Sequence, residues 1–165
     1  MFMAFEEEGK LPLLLIDDAQ LLLLEDARAE LRGLLSLEHQ GRSLLTVLLF
    51  GLPSLDDVMR QDPVLGQRVD GRVCLSALGR EETAAYVSTR IESVQGDPAI
   101  FADDAVDAIF RYAQGVPRVI NTLADNSLFE GFLSEANPID ASAVAAAAQQ
   151  LGLAEIESEA KTVPT

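Results

Sequence analysis

Leu11-Pro12-Leu13-Leu14-Leu15-Ile16-Asp17-Asp18-Ala19-Gln20 is an apolar run that ends abruptly on two carboxylates. The run is too short for a buried helix and reads as a strand covered on both faces. Acids at the carboxyl end of such a strand face the crevice in which α/β sheets bind ligands. Acids in that position also serve simply as the N-cap of the next helix, so both readings stand at this point.

The flanking segments extend the α/β pattern. Leu24, Ala27, Leu31, Leu34 and Leu35 recur at helical spacing among charged residues, which predicts an amphipathic helix over roughly Gln20 to Glu38, with Gly41 just past its end. Leu44 to Phe50 is a second buried strand by composition, and Gly51-Leu52-Pro53-Ser54 turns from it into a short helix carrying Leu55, Val58 and Met59, with Ser54 as N-cap. A third, shorter strand is expected at Val73-Cys74-Leu75. Two strands separated by a helix favour a parallel sheet.

From Leu78 onward the pattern is helical. Glu81 and Glu82 begin a helix with Tyr86, Val87, Ile91 and Val94 inside. A second places Ala102, Ala105, Val106, Ile109, Phe110 and Ala113 on one stripe, with Asp103 and Asp104 in its first turn. Pro117 opens a third after Gly115, and Asp140 caps a fourth from Ala141 to Leu151. The expected organisation is a leader at 1–10, a partial α/β core at 11–77, a helical part at 78–152 and a flexible acidic tail at 153–165.

The 165 residues carry 12 basic and 27 acidic side chains, for a formal charge of -15. That charge repels phosphate backbones and argues against a nucleic-acid partner. One cysteine, Cys74, excludes an internal disulfide and is expected to be a small buried apolar group. No apolar run reaches the roughly 20 residues needed to span a bilayer, and a cytoplasmic location is expected. His39 reads as a solvated helix-end residue.

A strand closed by paired acids has the form of a Walker B segment, in which one acid positions Mg²⁺ and the next orients water on a nucleotide γ-phosphate. Gly9-Lys10 does not supply the matching phosphate loop. Leu11-Pro12 follows where a Ser or Thr and a helix are needed, and the other lysine is Lys161. A phospho-accepting receiver domain also ends a strand in paired acids. It requires an Asp at the end of a later strand, where Phe50-Gly51 stands, and a lysine within a region that here has none.

The order of motifs resembles the carboxyl two-thirds of the AAA+ ATPase module of the general secretion pathway protein A family. The resemblance is carried by Leu14 to Gln20, Leu31 to Glu38, Phe50 to Leu55, Gln67-Arg68-Val69, Leu78 with Glu82 and Tyr86, and Gly115-Val116-Pro117-Arg118-Val119-Ile120-Asn121. It implies a partial P-loop NTPase core followed by a helical lid. ATP and Mg²⁺ would be the ligands. Asp17 would hold the metal and Asp18 would stand at the water-orienting position. Arg118 would reach the γ-phosphate from the lid as sensor 2, and Arg68 or Arg72 would be the arginine finger offered to a neighbour. Guanidinium groups suit both tasks because they stay charged and bind phosphate oxygens in a bidentate way.

The implied partners are further copies in a ring-type homo-oligomer and a membrane-bound secretion or pilus assembly protein. Three departures accompany the resemblance: the absent Walker A loop, Asp18 in place of the usual Glu, and Leu52 where relatives carry a polar sensor 1 side chain. This chain alone is therefore expected to be inactive in ATP hydrolysis. The alternative is a non-catalytic interaction or assembly module with a degenerate nucleotide site.

Overall fold

In the computed structural model, residues 12–155 are described, Leu23 excepted. The expected leader lies outside them, as does the tail from residue 156. The chain divides into two compact units, Met1–Val73 and Cys74–Thr165.

The first unit is α/β. Strand β1 (Leu13–Ile16) leads through a short 3₁₀ turn (Ala19–Leu21) to α1 (Glu25–Leu35). A two-residue hairpin follows, β2 (Glu38–His39) with β3 (Arg42–Ser43), and then β4 (Thr46–Leu49), α2 (Leu55–Gln61) and α3 (Pro63–Gly66). β1 and β4 pair in parallel, in register from Leu13 opposite Thr46 to Ile16 opposite Leu49. The crossover through α1 makes this possible, since parallel strands cannot be joined by a tight turn.

One face of this two-stranded sheet is packed. Ile16, Val47 and Leu49 lie against a core of Leu31, Val58, Met59 and Leu65, drawn from α1, α2 and α3. The opposite face corrects the expectation of strands buried on both sides. Leu13, Leu15, Leu48 and Phe50 are 44 to 58% exposed. The apolar runs are continuous, yet the described helices of this unit cover only one side.

Four further expectations between residues 20 and 75 are corrected. The helix begins at Glu25 and ends at Leu35, because Gln40 and Gly41 both adopt positive φ and turn the chain into the β2–β3 hairpin. Two consecutive left-handed residues are what a tight two-residue hairpin turn requires. His39 consequently sits half-buried in a strand. Ser54 has helical backbone angles and its hydroxyl makes no capping bond. Val73 to Leu75 form no strand, and Val73, Cys74 and Leu75 are all exposed.

The second unit contains α4 (Arg80–Glu92), α5 (Asp103–Ala113), α6 (Pro117–Leu133) and α7 (Ala141–Gln150). Its core joins Val87, Phe101, Ala105, Ile109, Ile120, Leu123, Ile139 and Val144. The expected boundary chemistry is present. Asp103 and Asp104 occupy the first turn of α5, and Pro117 the first turn of α6. The Asp140 carboxylate accepts from the Ser142 and Ala143 amides at the start of α7. The Ser142 hydroxyl, which donates to the same carboxylate, contributes most to holding it below the ordinary range, and the two amides add to this. Val94, expected inside α4, lies beyond its end and is 77% exposed.

Candidate functional site

The acid pair sits where the sheet ends. The Phe50 amide donates to the Ile16 carbonyl and the Ala19 amide to the Phe50 carbonyl, both across 2.8 Å, so the two chains stay joined past the last strand residue. Between these bonds Asp17 and Asp18 project from the carboxyl end of β1, and both are exposed. Asp18 has φ 49° and ψ 36°, the left-handed region, which Asp tolerates better than most residues. Its amide donates to the Asp17 Oδ1 across 2.9 Å. Neither carboxylate caps the following 3₁₀ turn through its side chain, so the N-cap role is not the one this geometry serves.

Gln20 completes the arrangement. Its Nε2 donates to the Asp18 Oδ1 at 3.0 Å, and its Oε1 accepts from the Leu52 amide at 3.1 Å. Gly51 makes room for this side chain: a Cβ there would lie 2.7 Å from the Gln20 Oε1. Gln20 closes the motif Leu14 to Gln20, but its role is not legible from local sequence because its partner Leu52 lies 32 residues away.

Among the described residues no group of three or more His, Cys, Asp or Glu is placed to hold a metal ion. Two adjacent exposed carboxylates nevertheless suit Mg²⁺ as it binds to proteins with phosphates, through one or two carboxylates while keeping several waters. The donor set therefore fits a cation that brings its remaining ligands with it.

The arginines are placed as follows. The Arg68 Nη1 donates to the Leu35 carbonyl at 2.6 Å, capping the negative end of α1. The Arg72 Nη1 pairs with the Asp56 Oδ1 at 3.2 Å. Both candidate fingers thus have partners within their own unit. Arg118 is exposed in the first turn of α6, at the positive end of that helix dipole, where a cation adds to rather than offsets the local potential. That position favours an anion.

A second cluster was not foreseen from the sequence. Asp62, 4% exposed at the junction of α2 and α3, accepts from the Leu65 amide at 3.1 Å and pairs with Arg32 of α1. Burial alone would raise the Asp62 carboxyl; the Leu65 amide and the Arg32 guanidinium outweigh it and hold it below the ordinary range. Arg32 also reaches Glu25 at 2.6 Å, and this bond lowers the Glu25 carboxyl. The cluster fixes α1 against the start of α3.

No family model matches the chain. Among curated proteins, general secretion pathway protein A of Aeromonas hydrophila is 35% identical over 126 residues, covering 75% of this chain and 23% of that protein. The chain thus matches less than a quarter of the length of this relative.

Proposed function

Because the chain belongs to the general secretion pathway protein A family, we propose that it forms part of a AAA+ ATPase module that couples ATP binding and hydrolysis to assembly of a secretion or pilus system. In this reading, residues 11–77 are part of a P-loop NTPase core and residues 78–152 its helical lid. Asp17 holds Mg²⁺, Asp18 orients the attacking water, and Arg118 contacts the γ-phosphate from the lid. Mg²⁺ supplies charge neutralisation between the phosphates when bound. Arg68 or Arg72 serves a neighbouring copy in a ring-type homo-oligomer in the cytoplasm. Among the described residues no helix is long and apolar enough to cross a membrane.

The observation that supports this reading most is the parallel pairing of β1 with β4, which sets the acid pair beside the Gly51–Leu52 turn at one end of the sheet. Ligands of open α/β sheets bind at that end. The chain alone lacks the phosphate loop and is proposed to be inactive by itself.

Calorimetric titration with Mg-ATP tests the reading in two samples. The 165-residue chain should show no heat of binding. A longer protein carrying a Gly-x-x-x-x-Gly-Lys-Ser/Thr loop ahead of it should bind, and Asp17→Ala should weaken that binding at least tenfold. Equal affinity in the Asp17→Ala protein would sink the assignment.

A second reading, a non-catalytic assembly module with a degenerate site, is favoured by the engagement of Arg68 with Leu35 and Arg72 with Asp56. It predicts a stable self-associated species by light scattering and no nucleotide binding in either sample.

A further inference from the structure

We propose that Gln20 is a positioning residue that couples the state of the acid pair to the Gly51–Leu52 turn on the neighbouring strand. Among the described residues, its carboxamide is the side-chain group that hydrogen-bonds to both strand ends. The donor half holds Asp18 at 3.0 Å and the acceptor half holds the Leu52 amide at 3.1 Å. A carboxamide is suited to this because its donor and acceptor are fixed in one plane, so rotation that improves one bond moves the other. A carboxylate lacks the donor and an alkyl chain lacks both.

The surroundings give the bridge little freedom. The backbone on either side is anchored by Phe50 to Ile16 and Ala19 to Phe50. Asp18 is held in the left-handed region, with its amide bonded to the Asp17 carboxylate. Gly51 presents no side chain: an added Cβ would come within 2.7 Å of the Gln20 Oε1 and 3.2 Å of the Gln20 amide nitrogen. A cation taken up by Asp18 competes for the oxygen to which Gln20 donates, and the loss of that bond reaches Leu52 through the same carboxamide. The coupling itself stands on this geometry, while its use in sensing a bound cation rests on the nucleotide-site reading above.

Amide hydrogen exchange and ¹⁵N–¹H spectra of the 165-residue chain test it. Gln20→Met removes both bonds at similar length and should speed exchange of the Leu52 amide about tenfold, the scale of one intramolecular hydrogen bond. Gln20→Glu keeps the acceptor but loses the donor to Asp18 and sets a like charge against it, so it should deprotect Leu52 as well, by less than Gln20→Met does. Gly51→Ala reaches the same bond from the other side and should also deprotect Leu52. The decisive measurement is Asp18→Ala, which should change Leu52 exchange when Gln20 is present and leave it unchanged in the Gln20→Met background.

An equal effect of Asp18→Ala in both backgrounds overturns the proposal, as does unchanged Leu52 exchange in Gln20→Met. MgCl₂ alone provides the separate arm. It should shift Asp17, Asp18 and Leu52 resonances in the natural sequence and only the acids in Gln20→Met. If Mg²⁺ moves no resonance, the cation reading fails, while the Asp18→Ala comparison still decides the coupling.

Discussion

The Leu78 amide donates to the Gly115 carbonyl across 2.9 Å, tying the segment that enters α4 to the turn between α5 and α6. Gly115 has φ +70°, and a Cβ added there would stand 1.9 Å from the Leu78 carbonyl oxygen. Both features exclude a side chain, and the obstacle is backbone, which cannot swing aside. Gly115→Ala should therefore destabilise the second unit by more than about 2 kcal/mol, combining left-handed strain with displacement of the tether. Urea unfolding of the variant measures this, and a loss within experimental error would show that the Leu78 segment yields.

Asp62 gives the first unit a defined acid sensitivity. Its carboxyl lies below the ordinary range in the folded chain, so the folded state binds its proton less readily than the unfolded one. The stabilisation is fully present above the ordinary carboxylate range, about pH 4, and is lost as pH falls through the depressed folded value. Glu25, lowered chiefly by Arg32, acts in the same direction. Asp62→Asn should lower the unfolding midpoint at pH 7 and flatten its dependence on pH below about 4, where the natural sequence declines. Parallel thermal melts at pH 7 and pH 3 compare the two, and equal slopes would mean that other carboxylates carry the acid response.

The two units differ in how far their form could be read from residues alone. Helix signals are local. Pro117 in a first turn, Asp140 three residues before Ala143, and the stripe Ala105, Ile109, Ala113 each rest on neighbours within a few positions. Strand signals report burial, and burial depends on what covers each face. Leu13 and Leu15 look like core residues but lie on the face that none of the described helices of their unit covers. Val73-Cys74-Leu75 has strand composition, but among the described residues no strand pairs with it. Gln40-Gly41 forms a hairpin turn despite lacking the Asn-Gly or Asp-Gly signature. At the candidate site the acids were legible because they interrupt an apolar run, whereas the bond from Gln20 to Leu52 depends on register.

Arg118 separates fold from function in the second unit. Its side chain is exposed at the positive end of α6, so it contributes little to holding that helix. Arg118→Ala should leave the thermal midpoint of the chain unchanged or slightly raised. In the longer protein with a phosphate loop, the same substitution should weaken Mg-ATP binding or slow hydrolysis at least tenfold. A full loss of secondary structure by circular dichroism would instead give Arg118 a structural role.

The half-covered sheet makes a comparison possible within one strand. Val47 and Leu49 of β4 pack toward Leu31, Val58 and Met59, while Leu48 between them is 44% exposed on the other face. Side chains alternate along a strand, so neighbours differing by one position lie on opposite faces. Truncating a covered leucine removes its transfer energy and leaves a cavity, at a cost of about 2–5 kcal/mol when burial is complete. Leu49 is only partly buried, so Leu49→Ala should fall at or below the lower end of that range. Leu48→Ala loses less apolar burial and opens no cavity, and should cost under about 1 kcal/mol. Chemical denaturation of the two variants orders them. Equal costs would mean that the face bearing Leu13, Leu15, Leu48 and Phe50 is covered in solution, and Leu15→Ala would then join the costly set.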